Sequence, residues 1–292
     1  MTYPTHLHGG GAPPAPTAVS VLAPGVDPVL AATAVPGPVV PGPALDNPVL
    51  DNAVWVSLDG PHARFTERNG RAARYPADVY DFAALAAPAD PAAWADLHTL
   101  VGAGTVVRIK PVQEVPDRWE VVGGGQGVQL VDTGLRAEPA PEAVRLGPAD
   151  VPEILDLVAR TAPGPFLKRT VELGTCLGIR DRGRLIAMAG ERSEMGVPPA
   201  GGWGRIHPPG WTEISAVCTD PHHRGRGLAT RLVRAVAAGI RDRGETPFLH
   251  AAADNVTAIR LYESIGFTLR RRSTTVAVRS PGAPRDRAVR TS

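Results

Sequence analysis

The stretch that most constrains this chain runs from Trp211 to Val233 and reads W-T-E-I-S-A-V-C-T-D-P-H-H-R-G-R-G-L-A-T-R-L-V. Its first residues are β-branched or apolar and predict a strand, which ends at Asp220-Pro221 because proline cannot donate to a sheet ladder. A glycine-rich turn, Arg224 to Gly227, then leads into an amphipathic helix. The first N–H groups of a helix have no intrahelical acceptor and lie at the positive end of its dipole. The stretch therefore predicts a site for an anion such as phosphate.

The charge and hydropathy of the 292-residue chain argue against two classes of partner. A formal net charge of +2 is too small to predict nucleic-acid binding, and no segment approaches the roughly 18 unbroken apolar residues of a membrane span. The first basic residue is Arg64, and prolines interrupt every apolar run before it, so we expect no secretory signal. Two cysteines, Cys176 and Cys218, make no disulfide framework. We therefore expect a soluble, cytoplasmic protein without a nucleic-acid or membrane partner.

Shifts in composition divide the chain into five segments. Residues 1–44 contain ten prolines, six glycines and one charged residue, and we expect them to be disordered. Residues 45–136 form a predicted N-terminal α/β region, and the A-E-P-A-P run marks a linker over residues 137–143. A second domain is predicted over residues 144–280. Residues 281–292 are rich in proline, glycine and arginine and predict a frayed tail.

The N-terminal region carries strand and helix patterns without a motif for a reaction. Val54 to Leu58 are mostly apolar and predict a strand. Asp90-Pro91 and the apolar spacing that follows predict a helix ending at Gly102. Thr105 to Pro111 predict a strand, and two more are expected on either side of Gly123 to Gly125, which we interpret as a loop.

Two other phosphate-binding folds are alternatives for the glycine-rich turn. A P-loop requires G-x-x-x-x-G-K-[ST], and that string does not occur in the chain. The dinucleotide fingerprint is a stronger rival, because G-R-G-L-A-T partly imitates it and Asp254 ends the next predicted strand. However, the third glycine is missing, and the spacing between the strand and the first glycine is too long for that tight turn.

Two motifs resemble one family. R-G-R-G-L-A, from Arg224 to Ala229, resembles the Q/R-x-x-G-x-G/A signature of the GNAT superfamily of N-acetyltransferases. N-x-x-A-x-x-L-Y-x-x-x-G-F, from Asn255 to Phe267, resembles the second conserved block of the same superfamily. The resemblance covers roughly residues 144–280 and implies an α/β fold with a mixed sheet, splayed between its fourth and fifth strands. It also leaves open that residues 45–136 are a degenerate half of the same fold.

The resemblance implies acetyl-CoA as co-substrate, bound in the opening of the splayed sheet, and no metal. The backbone of the fourth strand would pair with the pantetheine amides, and the turn would hold the pyrophosphate. The residues that the resemblance assigns to the cofactor are Val217, Cys218, Thr219, Arg224, Gly225, Arg226, Gly227, Leu228, Ala229, Thr230 and Asn255. A diphosphate needs converging N–H donors and no side chain in the way, which suits the two glycines, and the arginines add charge-assisted hydrogen bonds. Asn255 also suits a helix N-cap.

Two residues are candidates for proton transfer. Tyr262 matches the position from which many members of the family protonate the departing thiolate, although it also suits a core position. Glu213 is the only acid in the fourth strand and the candidate general base. Strict alternation places it on the same face as Trp211, Ser215 and Val217. A surface glutamate or a water-relayed base remains an alternative.

Two further reactions are disfavoured. Cys218 lies near His222 and His223 in the sequence, which invites a thiol intermediate, but alternation places it opposite Glu213 and the family transfers acyl groups directly in a ternary complex. Zinc bound by both histidines and Asp220 is disfavoured because adjacent histidines in a turn diverge.

We therefore expect an acyl-CoA-dependent N-acyltransferase that acetylates a primary amine of a small molecule or peptide. The alternative is a CoA-binding module without catalysis, with a regulatory or interaction role. The sequence does not specify the acceptor, which the loop from Gly196 to Gly210, with Trp203, is expected to shape. It also leaves open a longer acyl donor and a homodimer.

Overall fold

The computed structural model describes residues 45–164, 166–191 and 208–282. Most of the predicted disordered segments and of the loop from Gly196 to Gly210, including Trp203, therefore lies outside the described residues. The described residues build one sheet of eleven strands. These strands are β1 (Glu67–Asn69), β2 (Ala72–Arg74), β3 (Phe82–Leu85), β4 (Val106–Ile109), β5 (Glu120–Asp132), β6 (Val144–Leu146), β7 (Cys176–Asp181), β8 (Arg184–Glu191), β9 (Trp211–Thr219), β10 (Thr246–Ala252) and β11 (Phe267–Arg279).

The strand order is β1-β2-β3-β4-β11-β5-β10-β9-β8-β7-β6. All neighbours are antiparallel except β3 with β4 and β9 with β10, which are parallel. This mixed sheet confirms the predicted α/β class, and the hairpin from β7 to β8 turns through Arg182 and Gly183, both with positive φ.

Five α-helices pack on the sheet: α1 (Ala53–Asp59), α2 (Pro91–Val101), α3 (Val151–Thr161), α4 (Leu228–Arg241) and α5 (Val256–Ser264). Helix α4 buries Leu232 and Val236 in a cluster that includes Ile214 and Leu249 of the sheet. The opposite face carries Trp211 and the α1 cluster, and α3 lies over Met188 and the edge strands. None of the helices in the described part of the chain is long and apolar enough to cross a membrane.

A strand of the N-terminal region completes the C-terminal part of the sheet. β5 lies between β10 and β11 and is antiparallel to both. Its pairing with β11 extends from Asp132, opposite Phe267, to Glu120, opposite Arg279. The sheet therefore continues across the predicted linker over residues 137–143, which connects β5 to β6.

Two predictions for the N-terminal region are wrong. Val54 to Leu58 belong to helix α1, because Val54, Ser57 and Leu58 are buried at helical spacing against the sheet, and this packing overrides their β propensity. Gly123 to Gly125 do not form a loop but continue β5 opposite β11. A Cβ at Gly124 would lie 2.4 Å from the carbonyl oxygen of Thr275, so the two backbones approach more closely than a side chain allows.

We expect a fragment containing only residues 137–292 to lack a cooperative unfolding transition. Without β5, the long edges of β10 and β11 lose their shared partner, and unpaired edges favour aggregation. Circular dichroism and thermal melts would compare this fragment with residues 45–292, which retain every described strand. A fragment melting within a few degrees of that control would contradict the expectation.

Candidate active site

An opening in the sheet lies between β9 and β10. Their parallel pairing extends only from Trp211, opposite Thr246, to Ile214, opposite Leu249. β9 then continues to Thr219 without β10, although it keeps its pairing with β8 on the other side. Residues 216–219 therefore have no strand partner on this side within the described part of the chain, and their backbone N–H and C=O groups face the opening. An incoming amide chain can pair with these groups as a strand would.

A β-bulge at Ala216 begins this unpaired segment. Ala216 has φ of 54°. Between Ser215 and Cys218, β9 contains one more residue than β8 does between the facing residues Gly190 and Met188. The bulge interrupts side-chain alternation, so Val217 packs with the α4 cluster, whereas Cys218 packs with the α3 cluster on the other face. The prediction that Val217 shares the face of Glu213, and that Cys218 lies opposite it, is therefore wrong.

Asp220 anchors the turn that follows β9. Its side chain is buried, accepts a hydrogen bond from the backbone N–H of His222 at 3.0 Å and forms an ion pair with Arg160 of α3. His223 lies 3.3 Å from Asp181, while His222 is exposed. The two histidines therefore diverge, and Asp220 is already engaged by the protein.

The glycine-rich turn has the backbone conformation that only glycine adopts readily. Gly225 has φ of 76° and Gly227 has φ of 71°, both in the left-handed region. Arg224 precedes Gly225, and Arg226 lies between the two glycines; both arginine side chains are exposed. The turn therefore presents its backbone to solvent between two cationic groups.

The N–H groups from Gly225 to Thr230 donate to no protein acceptor within the described residues. The first turn of α4 contains no acidic residue, and Gly227 at its N-cap offers no side-chain acceptor. This run of donors at the positive end of a helix fourteen residues long fits a diphosphate. Thr219, at the end of β9, adds a buried hydroxyl without a partner in the described part of the chain. These groups fit the pantetheine and diphosphate of CoA.

Asn255 caps the N-terminus of α5, just after the end of β10. Its Oδ1 accepts a hydrogen bond from the N–H of Ala258 at 3.1 Å, which confirms the N-cap role. The exposed side chain keeps its amide Nδ2 group available as a donor. A contact with the cofactor stays a prediction.

Tyr262 of α5 lies in the α4 cluster, with its side chain packed edge-on against Phe267. Burial raises the pKa of Tyr262 to about 12, with a smaller contribution from Cys218. No hydrogen bond of its hydroxyl to another protein group occurs among the described residues. The phenol stays protonated at neutral pH and can donate to a ligand.

Glu213 lies in the last paired part of β9, one residue before the opening. It is 5% exposed, and its Oε1 lies 2.7 Å from Nδ1 of His250. Its neighbour Ile214 belongs to the α4 cluster with Tyr262, so alternation places Glu213 on the other face. The two predicted proton-transfer residues therefore lie on opposite faces of the sheet.

Sequence reasoning missed the partners of Glu213. Nε2 of His250 lies 3.0 Å from Nε2 of Gln129, and Gln129 is bound in turn by Arg270. None of these residues belongs to a motif, because their proximity depends on β5 lying between β10 and β11. Only the alternation of polar and apolar residues in each strand could have signalled a shared polar face.

Cys218 is not prepared for nucleophilic attack. Burial raises the pKa of its thiol, since the apolar surroundings disfavour the thiolate. Its side chain also lies in the core beneath α3. These properties agree with the preference for direct transfer.

A family model and a solved structure both match this chain. A family model described as FR47-like protein matches residues 200–276. The crystal structure of a GNAT-family protein from Novosphingobium aromaticivorans superposes with a TM-score of 0.68 at 38% identity, covering 79% of this chain and 97% of that one. At 79% of this chain, the similarity extends well beyond the two motifs.

Curated relatives match over shorter segments. A mycothiol acetyltransferase from Mycobacterium marinum is 33% identical over 91 residues, which is 28% of this chain and 28% of that protein. An N-alpha-acetyltransferase RimI from Mycobacterium tuberculosis is 34% identical over 99 residues, which is 33% of this chain and 55% of that protein. The chain therefore spans only part of the length of the curated relatives that it matches.

We expect Gly227→Ala to weaken acetyl-CoA binding about tenfold, because a Cβ in the left-handed conformation shifts the N–H donors of the turn. Gly244→Ala is the matched control: its φ of 75° is similar, but it follows the far end of α4. Both variants should lose about 1 kcal/mol of stability. Isothermal titration calorimetry would measure the dissociation constants. Equal constants for the two variants would argue against the phosphate role of the turn.

Proposed function

Because the chain belongs to the GNAT family of N-acetyltransferases, we propose that it transfers an acetyl group from acetyl-CoA to a primary amine by direct attack in a ternary complex. The observation that carries the proposal is the shared opening. The edge of β9 lacks β10 beyond Ile214, the N–H donors of residues 225–230 follow it in the chain, and Tyr262 belongs to the cluster against which Val217 packs. A thioester held along β9 would have its diphosphate at α4 and its sulfur toward Tyr262.

The donor would be held mainly by backbone groups. The backbone of Val217, Cys218 and Thr219 in β9 pairs with the two amides of pantetheine. The N–H groups of Gly225 to Thr230 bind the diphosphate, together with Arg224 and Arg226. Asn255 donates its amide Nδ2 from the α5 side. Backbone donors suit this role because they are already in position and lose little entropy on binding.

Proton transfer would use one residue on each face. The amine nitrogen forms a bond to the thioester carbonyl carbon, and its extra proton passes to Glu213. The carbon–sulfur bond then breaks, and the departing thiolate takes the proton of Tyr262, which solvent later replaces. With a pKa of about 12, Tyr262 remains an acid through the physiological range. Opposite placement lets the amine approach from one face while the sulfur leaves toward the other.

The acceptor is a primary amine whose identity the described residues do not select. RimI acts, by its name, on an α-amine, and the mycothiol acetyltransferases are named for mycothiol. We infer that this chain accepts either a small-molecule amine or a peptide α-amine. Part of the loop from Gly196 to Gly210, which is expected to shape this side, lies outside the described residues.

An amine panel would test the function. The purified protein with acetyl-CoA and each of several peptides, amino acids and amino sugars should release CoA thiol with one class and yield a product heavier by one acetyl group in mass spectrometry. A thiol-reactive dye measures the release. Tight CoA binding without release for any amine would instead support a non-catalytic CoA-binding module.

We expect Tyr262→Phe to lower kcat about 100-fold while leaving the dissociation constant of acetyl-CoA nearly unchanged, because the hydroxyl acts only as the thiolate leaves. Tyr80→Phe is the control, since Tyr80 is also buried but packs against Tyr75 and Phe82 in the N-terminal region. Steady-state kinetics across pH would measure both. Unchanged turnover of Tyr262→Phe at every pH would remove Tyr262 from the mechanism.

A further inference from the structure

One polar row crosses four adjacent strands beneath the opening. Glu213 of β9, His250 of β10, Gln129 of β5 and Arg270 of β11 contact one another in that order. The row continues to Asp51, whose Oδ1 accepts a hydrogen bond from Arg270 at 2.7 Å. All four strand residues are largely buried, so their hydrogen bonds cannot be exchanged freely with water.

Two independent contacts fix the amide of Gln129. Its Oε1 accepts a hydrogen bond from Nη1 of Arg270 at 2.8 Å, and a guanidinium can only donate. Its Nε2 donates to the carbonyl oxygen of Leu50 at 3.1 Å, and a carbonyl can only accept. Rotating the amide by half a turn would place donor against donor at Arg270 and acceptor against acceptor at Leu50. The orientation of Gln129 is therefore determined by chemistry at both ends.

This orientation determines the protonation of His250. The second hydrogen of the Gln129 amide points at Nε2 of His250, 3.0 Å away, so Nε2 must accept and cannot carry a proton. The remaining ring proton lies on Nδ1, which donates to Oε1 of Glu213 at 2.7 Å. The ring is therefore neutral, with its proton directed at the carboxylate.

The other charged groups near His250 do not alter the conclusion that its ring is neutral. The small cavity beside the ring is also lined by Asp51, Lys110 and Arg271. Lys110 and Arg271 are cationic and oppose a further positive charge on the imidazole, whereas Asp51 is engaged by both Arg270 and Arg271. The carboxylate of Glu213, which the ring contacts, favours an imidazolium. The amide of Gln129 opposes the imidazolium, because it donates to Nε2 of the ring.

We infer that Arg270 and Gln129 are positioning residues that keep His250 neutral, so that Glu213 retains the basicity needed to accept a proton from the amine. This inference rests on the proposed role of Glu213. A buried carboxylate beside a neutral imidazole has a higher pKa than one beside an imidazolium, and a general base works best with a pKa near the operating pH. An imidazolium would stabilise the carboxylate and weaken the base.

Nitrogen NMR tests the protonation of His250 in the wild-type protein. In the full-length wild-type protein near pH 7, two-bond 15N–1H correlations should show a protonated Nδ1 and an unprotonated Nε2, with a His250→Asn spectrum assigning the signals. A doubly protonated ring, or a proton on Nε2, would overturn the inference. This measurement requires no turnover, so its result stands apart from the success or failure of the proposed function.

Gln129→Glu tests the consequence. A carboxylate at this position accepts a proton from Nε2, which raises the pKa of His250, although Arg270 offsets part of the new charge. The imidazolium then persists to higher pH and weakens Glu213. We expect the acidic limb of the kcat–pH profile to move upward by about one unit, with kcat at pH 7 about tenfold lower.

Gln126→Glu is the matched control for this experiment. Gln126 lies in the same strand, but it is exposed and contacts Thr274 rather than His250. It receives the same change of charge, so its nitrogen spectrum and pH profile should match the wild type. If Gln129→Glu keeps the neutral ring and the wild-type profile, the positioning role is wrong. If the ring titrates as expected but no amine is acetylated by the wild type, the proposed function fails and the protonation constraint stands.

Discussion

The separation of β9 from β10 is the constraint on which the rest of the site depends. Beyond Ser215, the edge of β9 that faces away from β8 presents backbone groups to which no described strand pairs. Leaving a buried backbone group unpaired costs about 1–3 kcal/mol, so such an edge is retained only where solvent or a ligand pairs with it. Ala216 adds strain of about 1–2 kcal/mol by adopting a left-handed conformation. Both costs occur where the donor is proposed to bind.

The two residues proposed for proton transfer lie on opposite faces of the sheet. Tyr262 lies among apolar side chains on the face of α4, where burial keeps the phenol protonated. Glu213 lies on the other face in contact with His250. In the proposed mechanism, the phenol would act as the acid and the carboxylate as the base on the same thioester from two directions.

The folding of the N-terminal region and the chemistry of the C-terminal region are linked through β5. This strand fills the space between β10 and β11 and brings Gln129 next to His250. The N-terminal region therefore supplies a residue to the polar row beneath the opening, besides covering the sheet with α1. A role of this kind cannot be assigned from a motif, because the pairing joins residues more than a hundred positions apart.

Much of the donor side was predictable, because its signals are local. The turn at Gly225 and Gly227 needs glycine for its backbone conformation, and Asn255 needs only the residues that follow it to cap a helix. The predictions that failed depended on distant partners. Val54 to Leu58 form a helix because of the surface that they cover, and Gly124 continues a strand because β11 lies against it. The face of Val217 was wrong because a bulge leaves no clear mark in an alternating pattern.

The sequence by itself determined the strand, turn and helix from Trp211 to Val233 and hence the anion site, since steric preference, capping and periodicity act between near neighbours. Only the tertiary structure decided how far β9 and β10 pair, which face each side chain occupies and which group Glu213 contacts. Those features arise from strand register across the sheet, and register is a balance among distant residues that no local pattern encodes.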